Sequence, residues 1–268
     1  MGIKVILAVA ICLLACASQA RIGDPLKAFR EPPREFSVMP FWFWNDALTD
    51  EEIVRQIADF DAHGVYGFVI HPRVGLLADI GWMSPRMLHF VEVAVAEAKR
   101  RDMHVILYDE GMYPSGSSNG QVVARNPAHA ARSLDSIELK DGEEPALKPG
   151  WNLIATRTRP YGARVAVVDR PSGGVIRGIH YIGEGPREEE PPAGDILNPE
   201  AAASFIHLVY DRYYEALKPY FGNTVIAMFT DEPNPAGRGA KGLPGTTGII
   251  PEVSRLLVLR PQNSESNR

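Results

Sequence analysis

Short apolar runs that alternate with longer amphipathic runs constrain the fold of this chain more than any other feature. The run at 66–70 is continuous enough to be buried on both faces, as a strand of a parallel sheet is. The amphipathic runs between strands repeat their apolar residues at helical spacing. The alternation predicts a parallel α/β sheet with right-handed crossovers. The four strands are expected at residues 38–44, 66–70, 104–108 and 224–229.

Helix boundaries are marked by residues that favour helix ends. Thr49 and Glu52 form a capping box, in which the Thr49 side chain accepts from a first-turn amide while Glu52 reaches back. Gly64 is a natural C-terminal stop for this helix. A second helix is expected at 84–101 and a third at 198–220, each with a proline in its first turn. These signals predict one helix between each strand and the next.

The regular alternation is interrupted after the third strand. A loop rich in Gly, Pro and Ser is followed by short β-like runs, which predict a small inserted β-rich subdomain. After the fourth strand come a Gly/Pro-rich loop and a polar tail that is expected to be disordered. The expected units are the first part of the β/α barrel at 34–133, the insertion at 134–195, the barrel continuation at 196–236, and the loop and tail at 237–268.

The N-terminal segment 1–20 is typical of a signal peptide. Lys4 precedes an apolar run that is too short to span a membrane, and small residues favour cleavage before Arg21. The run that ends in Cys16 also resembles a lipoprotein cleavage box, which would place a lipid anchor there. The protein is therefore expected to be exported by a bacterium, as a periplasmic, extracellular or outer-surface protein. No later run is long and apolar enough for a transmembrane helix.

Composition argues against several functional classes. The formal net charge of -5 gives no electrostatic reason to expect nucleic acid, which favours a basic stripe. Both cysteines, Cys12 and Cys16, lie in the signal segment, so no disulfide framework is expected. The glycine-rich run 111–120 lacks the P-loop lysine and the glycine order of a dinucleotide site. No organic cofactor is therefore expected.

Polar side chains follow every predicted strand. In a parallel barrel the active site gathers at the carboxyl ends of the strands. One Asp-Glu pair after a strand is weak evidence, because turns favour aspartate anyway. Four polar strand ends in register favour a functional site. The strand-end residues are Asn45 and Asp46, His71 and Arg73, Asp109 and Glu110, and Asp231 and Glu232.

These strand-end residues suit chemistry on a sugar. Cleavage of a glycosidic bond generally needs one carboxyl group to protonate the leaving oxygen and a second to attack or to activate water. Trp44 and Tyr113 offer flat faces for sugar rings, although a tryptophan in a barrel strand is more often part of the core. His71 is a sugar contact, a metal ligand or a structural histidine, and Arg73 either meets ligand or pairs with an acid.

Four runs of sequence are informative in combination. They are P-F-W-F-W-N-D-A-L-T-D-E-E-I at 40–53, H-G-V-Y-G-F-V-I-H-P-R at 63–73, Y-D-E-G-M-Y-P-S-G at 108–116 and F-T-D-E-P at 229–233. Together they resemble the α-L-rhamnosidases of glycoside hydrolase family 106 and their relatives. The similarity covers roughly residues 36–235, and the combination is more specific than any single run.

The resemblance implies a (β/α)8 TIM-type catalytic barrel interrupted by inserted β structure. It implies an exo-acting, inverting hydrolase that removes terminal L-rhamnose from plant or microbial glycans, with a calcium ion in or near the site. Glu232 matches the general acid, and Glu110 matches the base or a ligand-contacting carboxylate. Asp109 and Asp231 match supporting or sugar-contacting neighbours.

The chain departs from the family in length. A barrel of this type needs roughly 250 residues without insertions, whereas only four strand–helix units are recognisable here. The expected fold is therefore a TIM-type barrel truncated to about four units, with a missing or separate C-terminal half. Two functions stay open: a glycoside hydrolase that is complete only with that half, and a truncated, non-catalytic carbohydrate-binding or scaffold protein.

Overall fold

The computed structural model describes residues 25–177 and 190–250. The predicted signal peptide at 1–20, the predicted lipid anchor at Cys16 and the end of the chain at 251–268 lie outside these residues. The described part contains one parallel and one antiparallel β-sheet. No helix within it is both long and apolar enough to cross a membrane.

Strands and helices alternate along most of the described chain. The strands are β1 (Phe41–Trp44), β2 (Gly67–Pro72), β3 (His104–Tyr108), β4 (Arg132–Leu139), β5 (Asn152–Thr158), β6 (Arg164–Pro171), β7 (Val225–Phe229) and β8 (Leu243–Pro244). The α-helices are α1 (Pro25–Arg30), α2 (Asp50–Ala62), α3 (Pro85–Arg100), α4 (Gln121–Arg125), α5 (Pro199–Ile206) and α6 (Arg212–Leu217). A π-helical segment, His207–Asp211, joins α5 to α6.

The parallel sheet contains the four predicted strands in the order β1-β2-β3-β7. Each neighbouring pair runs in parallel, which confirms the predicted parallel sheet. β1 starts at Phe41, later than expected, because Pro40 contributes only its carbonyl, which accepts from the Val69 amide at 2.9 Å. Within the described ranges β1 and β7 are the two edges of the sheet, so no closed barrel is formed there.

Side-chain caps begin the three long helical segments where the sequence predicts them. The Thr49 hydroxyl accepts from the Glu52 amide at 3.2 Å at the start of α2. Ser84 and Asn198 cap α3 and α5 in the same way. Gly64, with φ of 78°, follows the end of α2. Each cap satisfies an amide that has no partner inside its helix.

The two faces of the parallel sheet have different surroundings, because successive strand residues point to opposite sides. On the helix face, Phe68 and Leu107 are fully buried with apolar residues of α2, α3 and α6. On the open face, Phe41 and Phe43 are 41% and 45% exposed. The open face is defined here by Phe41, Phe43, His71, Tyr108 and Phe229, whose rings contact one another.

The antiparallel sheet occupies the region of the predicted β-rich insertion. Its strand order is β5-β6-β4-β8. Arg132, two residues before the predicted range 134–195, begins β4 and donates to the carboxylate of Asp169 in β6. β8 comes from the loop after β7, outside that range. A two-residue strand has no periodicity of its own, so only its pairing with β4 reveals it.

Candidate active site

The carboxyl ends of β3 and β7 bring three acidic residues together. Asp109 and Glu110 directly follow β3, and Asp231 follows Thr230 at the end of β7. The loop after β3 returns to this edge, where the Ser115 hydroxyl accepts from the Asp231 amide at 2.9 Å. The Ser115 amide donates to the Asp231 carbonyl at 3.1 Å. These bonds hold the two adjacent strand ends together around the acids.

The Tyr108 hydroxyl lies between two of the three acids. Its oxygen is 2.8 Å from Glu110 Oε1 and 2.8 Å from Asp231 Oδ2. Tyr108 is the last residue of β3, and it and Glu110 are buried. Burial and the neighbouring carboxyl charges raise the pKa of Tyr108 well above its ordinary value. The phenol therefore keeps its proton and acts through hydrogen bonds.

Asp109 is enclosed by hydroxyl groups from three parts of the chain. Ser115 Oγ donates to Asp109 Oδ1 at 2.5 Å. Thr230 Oγ1 and the Tyr210 hydroxyl donate to Asp109 Oδ2 at 2.6 Å and 2.8 Å. Burial raises the pKa of Asp109, and the three donors oppose that rise. This carboxyl group thus links β3, β7 and the π-helical segment between α5 and α6.

The π-helical segment positions Tyr210 for this contact. Val209 and Tyr213 on either side of it stay buried in the core, while Tyr210 reaches Asp109. A π turn inserts one residue into the helical repeat, and such turns are frequent at functional sites. Because the wider turn changes which residue faces the sheet, helical periodicity alone does not single out Tyr210.

Glu110 has the environment of a proton donor. Burial raises its pKa to about 8, and the charges of Asp231 and Asp109 act in the same direction. The hydrogen bonds of Tyr108 and Ser115 oppose the rise without cancelling it. At neutral pH the Glu110 carboxyl group is therefore largely protonated.

Glu232 lies beside this cluster at the exposed rim. The Tyr113 hydroxyl donates to Glu232 Oε2, and this bond raises the pKa of Tyr113 to about 12. Glu232 has φ of 39°, in the left-handed region where a residue other than glycine is strained. The Arg177 guanidinium lies 4.7 Å from the centre of the Tyr113 ring. Two predicted site residues, Tyr113 and Glu232, are thus in direct contact.

His71 supports the site from β2. Its ring stacks on Tyr108 with the centres 4.1 Å apart, and Nδ1 lies 2.9 Å from the Pro72 carbonyl oxygen. Burial lowers the pKa of His71 to about 4, so the ring is uncharged at neutral pH. Arg73 lies over the ring of Phe43, with its guanidinium carbon 4.9 Å from the ring centre. Since His71 is only 3% exposed, the structure favours the structural role among the three that the sequence left open.

The end of β1 does not join the carboxyl cluster. Asn45 and Asp46 line a separate small cavity of about 110 Å³ between β1 and α2, and Asp46 Oδ1 accepts from the Ala47 amide at 2.7 Å. Trp44 is 2% exposed and belongs to the helix-face core. As alternate strand residues point to opposite faces, Trp44 is turned away from the predicted sugar site.

A larger cavity of about 450 Å³ opens beside Asp109. Thr230 and Ser115 contribute polar groups to it, while Phe205 and Ile206 of α5 form part of an apolar wall. A cavity of this size and mixed lining is typical of a small-molecule site.

Several residues of the site have no distinctive sequence signal. Ser115 is part of the Y-D-E-G-M-Y-P-S-G run, but a serine in a loop rich in Gly and Pro suggests only a turn. Thr230 immediately precedes the predicted Asp231 and supplies one of the three hydroxyl groups that enclose Asp109. Tyr210 is 101 residues away from the carboxyl group that it contacts.

The calcium ion that the resemblance implies stays a prediction. Calcium takes six to eight oxygen ligands. Within 25–177 and 190–250, no group of three or more His, Cys, Asp or Glu side chains could hold a metal ion. Both carboxyl oxygens of Asp109 already accept hydroxyl protons.

The site rests on two neighbouring strand ends, a buried acid with a raised pKa and an exposed second acid beside it. Comparison of the chain with protein-family models, with curated proteins and with solved structures found no match.

Proposed function

We propose that the protein is a glycoside hydrolase of the α-L-rhamnosidase type, which cleaves terminal sugars by acid–base chemistry with two carboxyl groups. Its parallel sheet would be half of a (β/α)8 barrel, the architecture whose active sites lie at the carboxyl ends of the strands. The substrate is a rhamnose-containing glycan that the exported protein meets outside the bacterial cytoplasm.

The observation that supports this proposal most is a pair of carboxyl groups in opposite environments at adjacent strand ends. Glu110 is buried, and its pKa is raised to about 8. Glu232 is exposed to water. Glycoside hydrolysis needs one carboxyl group that donates a proton and a second that acts as base or nucleophile, and two carboxyl groups in contrasting environments suit these two roles.

These environments favour Glu110 as the proton donor and Glu232 as the group that activates water. This is the reverse of the roles that the resemblance implies. In the proposed reaction the Glu110 proton passes to the glycosidic oxygen as the bond to the anomeric carbon breaks. Glu232 takes a proton from the water that attacks that carbon. Phe41 and Phe43 on the open face offer partly exposed rings to the sugar.

The test compares two substrates, nitrophenyl α-L-rhamnoside and an alkyl α-L-rhamnoside, with the full chain and two variants. Glu232→Gln is expected to lower kcat by about 10²–10⁴-fold on both substrates. Glu110→Gln should do so on the alkyl substrate and much less on the nitrophenyl one, whose leaving group needs little protonation. Glu138→Gln, at an exposed position of β4, is the matched control. Each assay is run with calcium added and then chelated.

The same measurements separate the proposal from its alternative. If the two variants exchange their substrate dependence, the roles implied by the resemblance are right and the reversed assignment is wrong. Folded protein that binds L-rhamnose in calorimetry without turnover would support the carbohydrate-binding alternative. Folded protein with neither turnover nor binding would overturn both.

A further inference from the structure

The Tyr108 hydroxyl makes two short contacts that its single proton cannot satisfy. Its oxygen lies 2.8 Å from Glu110 Oε1 and 2.8 Å from Asp231 Oδ2. A phenol has one O–H group to donate. If both carboxyl groups were ionised, one contact would join two electron-rich oxygens with no hydrogen between them. One of the two carboxyl groups must therefore bring a second proton.

We infer that Glu110 and Asp231 hold one proton between them through the Tyr108 hydroxyl, which makes Tyr108 a positioning residue that passes this proton between the two strand ends. In one arrangement Glu110 donates to the Tyr108 oxygen, and Tyr108 donates to the Asp231 carboxylate. In the other, both bonds are reversed. The inference goes beyond the proposed function, because it concerns the free protein and holds with or without hydrolysis.

Exchange between the two arrangements moves two protons and conserves charge. The O–H bond of Glu110 breaks as its proton forms a bond to the Tyr108 oxygen. The original O–H bond of Tyr108 breaks as that proton forms a bond to Asp231. The three groups together bear one negative charge before and after, so the exchange needs no external acid, base or ion.

Burial favours the arrangement with the proton on Glu110. Glu110 is 1% exposed, whereas Asp231 is partly exposed to solvent. Burial raises the pKa of Glu110 to about 8. Ser115 gives its hydroxyl proton to Asp109 at 2.5 Å, and its contact with Glu110 Oε2 is longer, at 3.3 Å. The carboxylate form of Glu110 therefore gains little from Ser115.

The side chains of β1 and β2 that face Glu110 and Asp231 are mostly uncharged, so they do not favour loss of the shared proton. β1 presents the uncharged rings of Phe41 and Phe43. His71 of β2 stacks on Tyr108, and burial lowers its pKa to about 4, so it is uncharged at neutral pH. The Arg73 guanidinium, the cation of this strand end, lies over the Phe43 ring.

Of the groups on β3, β7 and the loop after β3, Asp109 adds negative charge near the pair. The others contact one another. The charge of Asp109 raises the pKa of Glu110 further. Glu232 accepts from the Tyr113 hydroxyl, and Arg177 lies over the Tyr113 ring. This local excess of acid over base favours retention of one proton by the pair.

The test is ¹³C NMR of the full chain with carboxyl-labelled glutamate and aspartate, titrated from about pH 5 to about pH 10. The Glu110 resonance, assigned with Glu110→Gln, should move in a step near pH 8. If the proton is shared, the Asp231 resonance, assigned with Asp231→Asn, should move in the same step. In Tyr108→Phe the step should divide, so that the Asp231 resonance no longer follows that of Glu110. Tyr210→Phe removes a hydroxyl from Asp109 alone and should leave the shared step intact.

Two separate steps in the wild-type protein, or a shared step that survives in Tyr108→Phe, would overturn the inference. Infrared spectroscopy at neutral pH gives a second measurement that does not depend on the folding of Tyr108→Phe. A protonated carboxyl band should be present in the wild-type protein and lost in Glu110→Gln. If the wild-type protein has no such band, the pair holds no proton and the inference is wrong.

Discussion

The helix face and the open face of the parallel sheet are built from the same strands but are stabilised differently. Leu107 is fully buried on the helix face, and Tyr108, the next residue, bridges two carboxyl groups on the open face. Apolar burial contributes about 25 cal/mol per Å² on the first face. On the second, each hydrogen bond contributes only about 1 kcal/mol net, or about 2 kcal/mol where it meets a charged group. Apolar packing is thus concentrated on one side of the sheet, and the buried titratable groups lie on the other.

The greatest change in stability is expected on the open face, and it depends on pH. The pKa of Glu110 is raised from its ordinary 4.5 to about 8 in the folded protein, so the folded state binds more protons between these values. The free energy of unfolding should therefore fall as pH rises through this window, by roughly 4–5 kcal/mol from this group. Glu110→Gln should abolish that decline in urea unfolding, while Glu138→Gln retains it. An equal decline in Glu110→Gln would contradict the burial of a protonated acid.

The next largest effect belongs to the helix face. Phe68→Ala should lower the free energy of unfolding by about 3–5 kcal/mol, because a fully buried ring is replaced by a cavity. The loss should be independent of pH between about pH 5 and pH 9, since no titratable group is removed. Urea unfolding measures this loss of stability. A loss that varied with pH would mean that titratable groups also contribute to the stability of the helix face.

A smaller effect is expected at the hydroxyl enclosure of Asp109. Tyr210→Phe removes one donor to Asp109 Oδ2 and keeps the ring. The expected loss is about 2 kcal/mol, the scale of a hydrogen bond to a charged group. Chemical unfolding of this variant beside Tyr214→Phe, at an exposed position of α6, provides the matched control. Equal stability of the two variants would mean that the Tyr210 bond contributes nothing.

The smallest effect is expected for an open-face ring. Phe43 is 45% exposed, so Phe43→Ala removes about half of the burial of a phenylalanine and should cost about 1 kcal/mol. Phe68→Ala is its partner on the same sheet. A loss at Phe43 as large as that at Phe68 would mean that the open face is covered in solution.

Elements with a strong local signal were predictable. The Thr49 hydroxyl cap and the apolar run of β2 depend on neighbours in sequence, and both occur. The second half of the expected capping box does not, because the Glu52 carboxylate accepts from Arg55 and Gln56 instead. The approach of Glu110 to Asp231 was also predictable, because the carboxyl ends of parallel strands meet at one edge. β8 was not, because its two residues are strand-like only through their pairing with β4.

The alternation of strands and helices and the acids that end β3 and β7 follow from local patterns in the sequence, because spacing and caps act over a few residues. The protonation of the Glu110 carboxyl group, in contrast, depends on contacts between distant parts of the chain. Tyr108 meets Asp231 across 123 residues, and Asp109 meets Tyr210 across 101. The pKa of a carboxyl group depends on the water that it loses and the groups that it meets on burial. Its neighbours in the sequence determine neither.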